Sequence, residues 1–76
     1  MNRIRRKHLD EILVRLEELR LDLEEIAEDE HEAFDNIPEN LWGSERYELA
    51  EAACDALDDA LSSLEEAADS ITSAME

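Results

Sequence analysis

Apolar residues recur through the first half of the chain in alternating steps of three and four: Leu9, Ile12, Leu16, Leu19, Leu23, Ile26 and Ala33, with Glu30 as the one polar residue in the row. That spacing is the seam of an amphipathic helix packed at coiled-coil angles, with Leu9 at heptad position a and Ile12 at d. Good helix formers fill the intervening positions, and neither Gly nor Pro occurs before Pro38, so the pattern predicts a helix over about residues 3–34. A second row, Tyr47, Ala50, Cys54, Leu57, Leu61, Leu64, Ala68, Ile71 and Met75, repeats the same steps without a flaw. It predicts a helix over about residues 44–76.

The chain's strong punctuation falls between these rows, in Asn36-Ile37-Pro38-Glu39-Asn40 and Gly43-Ser44. Pro38 cannot continue a helix and drives Ile37 toward extended backbone. Ser44 stands where an N-cap belongs, followed by Glu45, whose charge suits a helix start. The corner therefore spans 35–43, with one short turn expected around Pro38–Trp42. Two helices of matched length, each about 48 Å at 1.5 Å per residue, joined by so short a corner make an antiparallel helical hairpin. The expected fold is all-α, with residues 1–76 as one domain and coiled-coil-like packing.

A core of this size rarely supplies more than about 3–5 kcal/mol. Val14 and Leu21, seven apart on the outer face of the first helix, have no partner within a hairpin. Ala53, Ala60, Ala67 and Ala74 recur every seven residues beside the second seam. Ala is the best helix former, which explains its abundance but not its heptad phase. The row reads as an oligomer interface, with two hairpins pairing into a four-helix bundle; a homodimer is the default.

Charge alters the picture. The chain holds 23 acids and 7 Lys or Arg, a formal net charge of −16. Arg3, Arg5, Arg6 and Lys7 stand together at the start, so residues 8–76 set 23 acids against Arg15, Arg20 and Arg46, a net −20. Such a surface repels nucleic acid and anionic membrane and attracts basic proteins. The longest apolar run, Ile12–Val14, is far too short to cross a membrane. A basic start without a following apolar stretch, and a single Cys, fit a cytoplasmic protein. The first helix also opens with bases and closes with Glu28, Asp29, Glu30 and Glu32, the reverse of what its dipole favours. An antiparallel partner would bring Glu65, Glu66, Asp69 and Glu76 toward the basic start.

The corner gathers the remaining candidates. Residues 28–51 carry nine acids and only Arg46, together with all three aromatics, Phe34, Trp42 and Tyr47. These rings can plug the end of the core with Ile37 and Leu41, or leave Trp42 as a partly exposed anchor, and both readings can hold with Phe34 inside and Trp42 shared; Trp and Tyr are enriched among interface hot spots. Acids also keep register along the helices: Asp10-Glu11, Glu17-Glu18 and Glu24-Glu25 on the first, Glu51, Asp58 and Glu65 on the second. A solvated face accounts for part of this, yet like charges at such spacing oppose one another without compensating Lys.

No catalytic motif is present, and an enzyme is not expected. Paired carboxylates need a desolvated cleft that a helix hairpin does not offer. His31 among Glu28, Glu32 and Asp35 lacks the repeated Glu-x-x-His pattern of bundle metal sites and reads as a solvated helix residue. His8 reads as a partly exposed packing residue and Cys54 as a buried, inert thiol. No cofactor and no metal are expected.

The run Ala33-Phe34-Asp35-Asn36-Ile37-Pro38-Glu39-Asn40-Leu41-Trp42-Gly43-Ser44-Glu45-Arg46-Tyr47-Glu48 resembles the corner of small acidic helical-hairpin proteins of Gram-positive bacteria and their phages and prophages. The similarity extends over nearly the whole chain, including an Ala- and Glu-rich second helix. It implies a phage or prophage setting and brings no assigned biochemistry with it. Small acidic phage proteins include anti-CRISPR and anti-restriction inhibitors that imitate nucleic acid, an analogy of size, charge and setting.

Two functions from different classes follow. The first is a non-enzymatic inhibitor that fills the groove of a basic, nucleic-acid-binding host protein, with Glu28, Asp29, Glu32, Asp35, Glu39, Glu45 and Glu48 supplying charge and Trp42 the anchor. The second is a structural oligomerisation or scaffold module in which the acids serve solubility. Either way, dense like charge should oppose folding, so the melting temperature should rise from low salt to about 0.1 M NaCl, where the Debye length is about 10 Å. A steady fall over that range would show that attractive ion pairs dominate instead.

Overall fold

The computed structural model describes all 76 residues. It is all-helical: α1 spans Arg3–Asp35, a single 3-10 turn covers Glu39–Leu41, and α2 spans Glu45–Ala74. The two long helices run antiparallel as a hairpin, a rod of 59 × 16 × 13 Å. Their ends lie within two residues of the expected boundaries, and the corner occupies 36–44.

Each helix begins on a side-chain cap. The Asn2 Oδ1 accepts the Arg5 backbone N–H at 2.8 Å, and the Ser44 Oγ accepts that of Tyr47 at 3.2 Å. Each satisfies a donor that the first helical turn would otherwise leave free. Glu45 and Glu48 add favourable charge to the first turn of α2, whereas α1 has no acid in its first turn and no base in its last. α1 stops where the Asn36 N–H reaches back to the Glu32 and Phe34 carbonyls. Pro38 then starts the 3-10 turn: the Leu41 N–H donates to the Pro38 carbonyl at 2.9 Å and the Trp42 N–H to Glu39 at 3.1 Å. The chain reverses through Gly43 at φ +84°, the one positive φ in the protein.

α2 packs as its period predicts. Cys54 is buried, and Tyr47, Ala50, Leu57, Leu61, Leu64, Ala68, Ile71 and Met75 are half-buried. α1 follows its predicted seam only as far as Leu16, with Leu23 the one later position that stays half-buried as expected among its large apolar residues. Beyond Leu16, Leu19 and Ile26 are each 57% exposed and Ala33 is exposed. The positions facing α2 are instead Arg20, Ala27, His31 and Phe34, so Glu30 is not the only polar residue at the seam. The cause is geometric: a straight helix turns about 20° per heptad relative to a strict seven-residue repeat. The row Ile12, Leu19, Ile26, Ala33 rotates out of the seam, while Leu13, Arg20, Ala27, Phe34 rotates into it. The same drift leaves Ala53 and Ala60 half-buried but Ala67 and Ala74 exposed. Val14 and Leu21 face solvent as expected, at 59% and 53% exposure. Only Ala27, Ile37 and Cys54 are buried.

A methyl group at Gly43 would meet no atom within 4 Å, so conformation alone reserves the position for glycine. Gly43→Ala should destabilise the hairpin by about 1–2 kcal/mol, the cost of left-handed backbone for an L residue, and Gly43→Asn by less. Urea unfolding of the two variants checks this; equal stability to the parent chain would show that the corner relaxes to negative φ.

Candidate functional site

The corner is built around two half-buried rings. Phe34, from the last turn of α1, and Tyr47, from the first turn of α2, meet with centroids 4.9 Å apart, and Ile37 is buried beside them. These three residues form the lid of the seam. Trp42 leans on Tyr47 at 6.2 Å, and its indole N–H donates to the Ile37 carbonyl at 3.1 Å. It is nonetheless 57% exposed, and Leu41 beside it is 38% exposed. Both readings of the aromatics therefore hold, divided between residues: Phe34 and Tyr47 close the core, while Trp42 is held by one edge and shows its face to solvent.

The expected acidic residues surround this end. Glu28, Asp29, Glu32 and Asp35 leave the last two turns of α1, Glu39 sits in the 3-10 turn, and Glu45 and Glu48 occupy the first turn of α2. All seven are exposed and none takes part in an ion pair. At 100° per residue they point in different directions around the rod. They are spread around this end of the rod rather than clustered, and nowhere do three or more His, Cys, Asp or Glu side chains converge as a metal site.

One long side of the hairpin carries the organised polar contacts. Arg20 is clasped by Glu17 and Glu24, each at 2.7 Å. The hydrogen bond from Arg20 holds the Glu17 carboxyl below its usual range. Beside this clasp lies an open groove of about 270 Å³, floored by Leu16 and Leu64 and rimmed by Glu17, Arg20, Glu65 and Asp69. Further along the same side, His31 Nε2 lies 3.0 Å from both carboxylate oxygens of Asp58. His31 is thus not the free surface residue its sequence context suggested: it ties α1 to α2. The hydrogen bond to Asp58 raises its pKa above the ordinary 6.5, outweighing the opposing effect of desolvation, with the charges of Asp58, Asp35 and Asp55 adding to the rise. Finding this pair in the sequence would have required the hairpin register.

Cys54 is buried, and that burial, with Glu30 and Asp58 nearby, pushes its thiol upward and keeps it protonated. The antiparallel hairpin puts the basic start at the end where α2 finishes, as expected, but Arg3, Arg5, Arg6 and Lys7 are exposed and make no ion pair with Glu65, Glu66, Asp69 or Glu76. No helix is long and apolar enough to cross a membrane. Comparison with protein-family models, curated proteins and solved structures finds no match to this chain.

The His31–Asp58 link has a defined pH signature. Because the folded-state pKa lies above the unfolded value, its stabilisation is complete below 6.5 and is lost as pH rises through the higher folded value. The melting temperature should fall as pH rises above about 6.5, where ordinary carboxylates do not titrate. Asp58→Asn should flatten that slope; an unaltered slope would assign it to another group.

Proposed function

We propose that this protein is a non-enzymatic inhibitor that occupies the nucleic-acid-binding groove of a basic host protein, an acidic mimic of the anti-CRISPR or anti-restriction kind working in the host cytoplasm. One observation carries the reading: of the 23 acids, only Glu17, Glu24 and Asp58 are engaged in ion pairs. The others offer charge along both helices and around the corner without an internal partner. Leaving so many like charges unpaired costs stability, which a surface kept only for solubility does not require. Opposite the Lys and Arg of a phosphate-binding groove the same charges gain attraction and accelerate association. Trp42, pinned at its indole nitrogen and open on its face, supplies the apolar anchor that pure charge lacks. The resemblance to phage and prophage hairpins is consistent with this use.

A second reading, a structural oligomerisation or scaffold module, is favoured by the apolar side chains that the hairpin leaves exposed, Leu19, Ile26 and Leu49 above all.

The two readings part at the corner. Neutralising Glu28, Glu32, Glu45 and Glu48 to Gln should leave the helix content intact. It should slow association with a phosphate-binding host nuclease at least tenfold at low salt, while Trp42→Ala should mainly speed dissociation. Stopped-flow competition against labelled duplex on that nuclease separates the two rates. Unchanged inhibition by the neutralised corner would remove the mimicry reading and leave the scaffold.

A further inference from the structure

The hairpin has two unlike long sides. The His31–Asp58 pair and the groove between Glu17 and Glu65 mark one of them. About a quarter turn from Arg20 and Ala27, on the opposite side of α1, stand Leu19 and Ile26, each more than half exposed, in line with Ile12. α2 turns Leu49, 64% exposed, and the small residues Ala56, Ala60, Ser63, Ala67 and Ala74 to that same side. One face of the rod is therefore apolar along most of its length, and no segment of the chain covers it.

We propose that this face binds a second copy of the chain in an antiparallel, two-fold arrangement, α1 against α1 and α2 against α2. Surface area sets the size of the missing contact. The chain exposes 5883 Å², whereas a compact protein of its mass, 8.7 kDa, exposes about 4,700 Å². The excess, about 1,200 Å², is more than the roughly 800 Å² per partner that a standard protein interface buries. The large residues sit on α1 and the small ones on α2, so pairing like helices lets the two α2 helices approach closely while Leu19 and Ile26 fill the space between the α1 helices.

Charge selects the orientation. With Leu19 opposite Leu19, an antiparallel register sets Ile12 against Ile26 of the second copy. The rim of α1 reads His8, Arg15, Asp22, Asp29 at heptad spacing, and the same register sets Arg15 against Asp22 and His8 against Asp29. It also brings the unpaired Arg3, Arg5, Arg6 and Lys7 of each copy beside the acidic corner of the other. A parallel arrangement lays α1 over α2 instead: it faces Asp22 toward Asp59, where like charges repel, and it leaves both basic starts at one end of the assembly and both acidic corners at the other. In the antiparallel dimer the side bearing His31–Asp58 and the face of Trp42's corner formed by Glu39, Glu45 and Glu48 remain outward, while Asp29 joins the rim of the contact, so the assembly stands whether or not the mimicry reading does.

Sedimentation equilibrium of the full chain tests this. The parent protein should be dimeric at micromolar concentration. Leu19→Glu with Ile26→Glu should give a helical monomer, while Val14→Glu with Leu21→Glu, as exposed but on the other side, should leave the dimer intact. Arg15→Glu alone and Asp22→Arg alone should each raise the dimer dissociation constant about tenfold, because the contact occurs twice. The double exchange should restore it, which only the antiparallel α1–α1 register allows. A monomeric parent chain, dissociation by the Val14 and Leu21 variant, or failure of the exchange to rescue would each overturn the proposal.

Discussion

The mismatch between a seven-residue sequence repeat and the 3.6-residue turn of a straight helix governs most of this molecule. Over the 33 residues of α1 the drift, about 20° per heptad, accumulates until one heptad row has left the seam and the next has entered it. The seam gains Ala27 and Phe34, together with Arg20 and His31, whose polar ends must then be satisfied. Glu17, Glu24 and Asp58 satisfy them, which is why the few ion pairs of so charged a chain lie along one side. The displaced Leu19 and Ile26 give the other side its apolar character. Two unlike faces thus arise from one periodicity, without any change in the composition of the helix.

Against that background the charge has few places to go. A two-helix rod keeps nearly every position in contact with water, so its carboxylates cost little desolvation and oppose one another chiefly through a screened field. The worst site is the corner, where the C-terminal end of the α1 dipole meets Asp29, Glu32 and Asp35. A chain selected for stability alone would place Lys there. The acids gathered at the end of the rod that carries Trp42 are the least expected arrangement in the protein on energetic grounds, and they lie where the Phe34–Tyr47 contact closes the hairpin.

Legibility followed the same physics. The seam of α2 could be read because every a and d position is apolar and the one rival row, Ala53, Ala60, Ala67 and Ala74, holds only methyl groups. The second half of α1 could not, because Leu19 and Ile26 make a better apolar ladder in sequence than Arg20, Ala27 and Phe34, and only the path of the helix axes decides between them. Ser44 was readable as a cap from its position after Gly43; Asn2, an equally good cap directly ahead of a helical run, carried the same signal. The acidic end could be placed from residue numbers alone, since it depends only on where the corner falls. Which aromatic faces solvent depends on the 3-10 turn that aims Trp42 back at the Ile37 carbonyl, and that turn has no period to reveal it.

The burial of Cys54 has a practical corollary. As the only thiol, enclosed between the helices and held protonated, it reacts with an alkylating reagent only when the two helices part. The labelling rate divided by that of an unfolded thiol is then the open fraction of the hairpin under native conditions. A single native atom thereby measures, without denaturant, how much of the time this thinly cored rod is a rod at all.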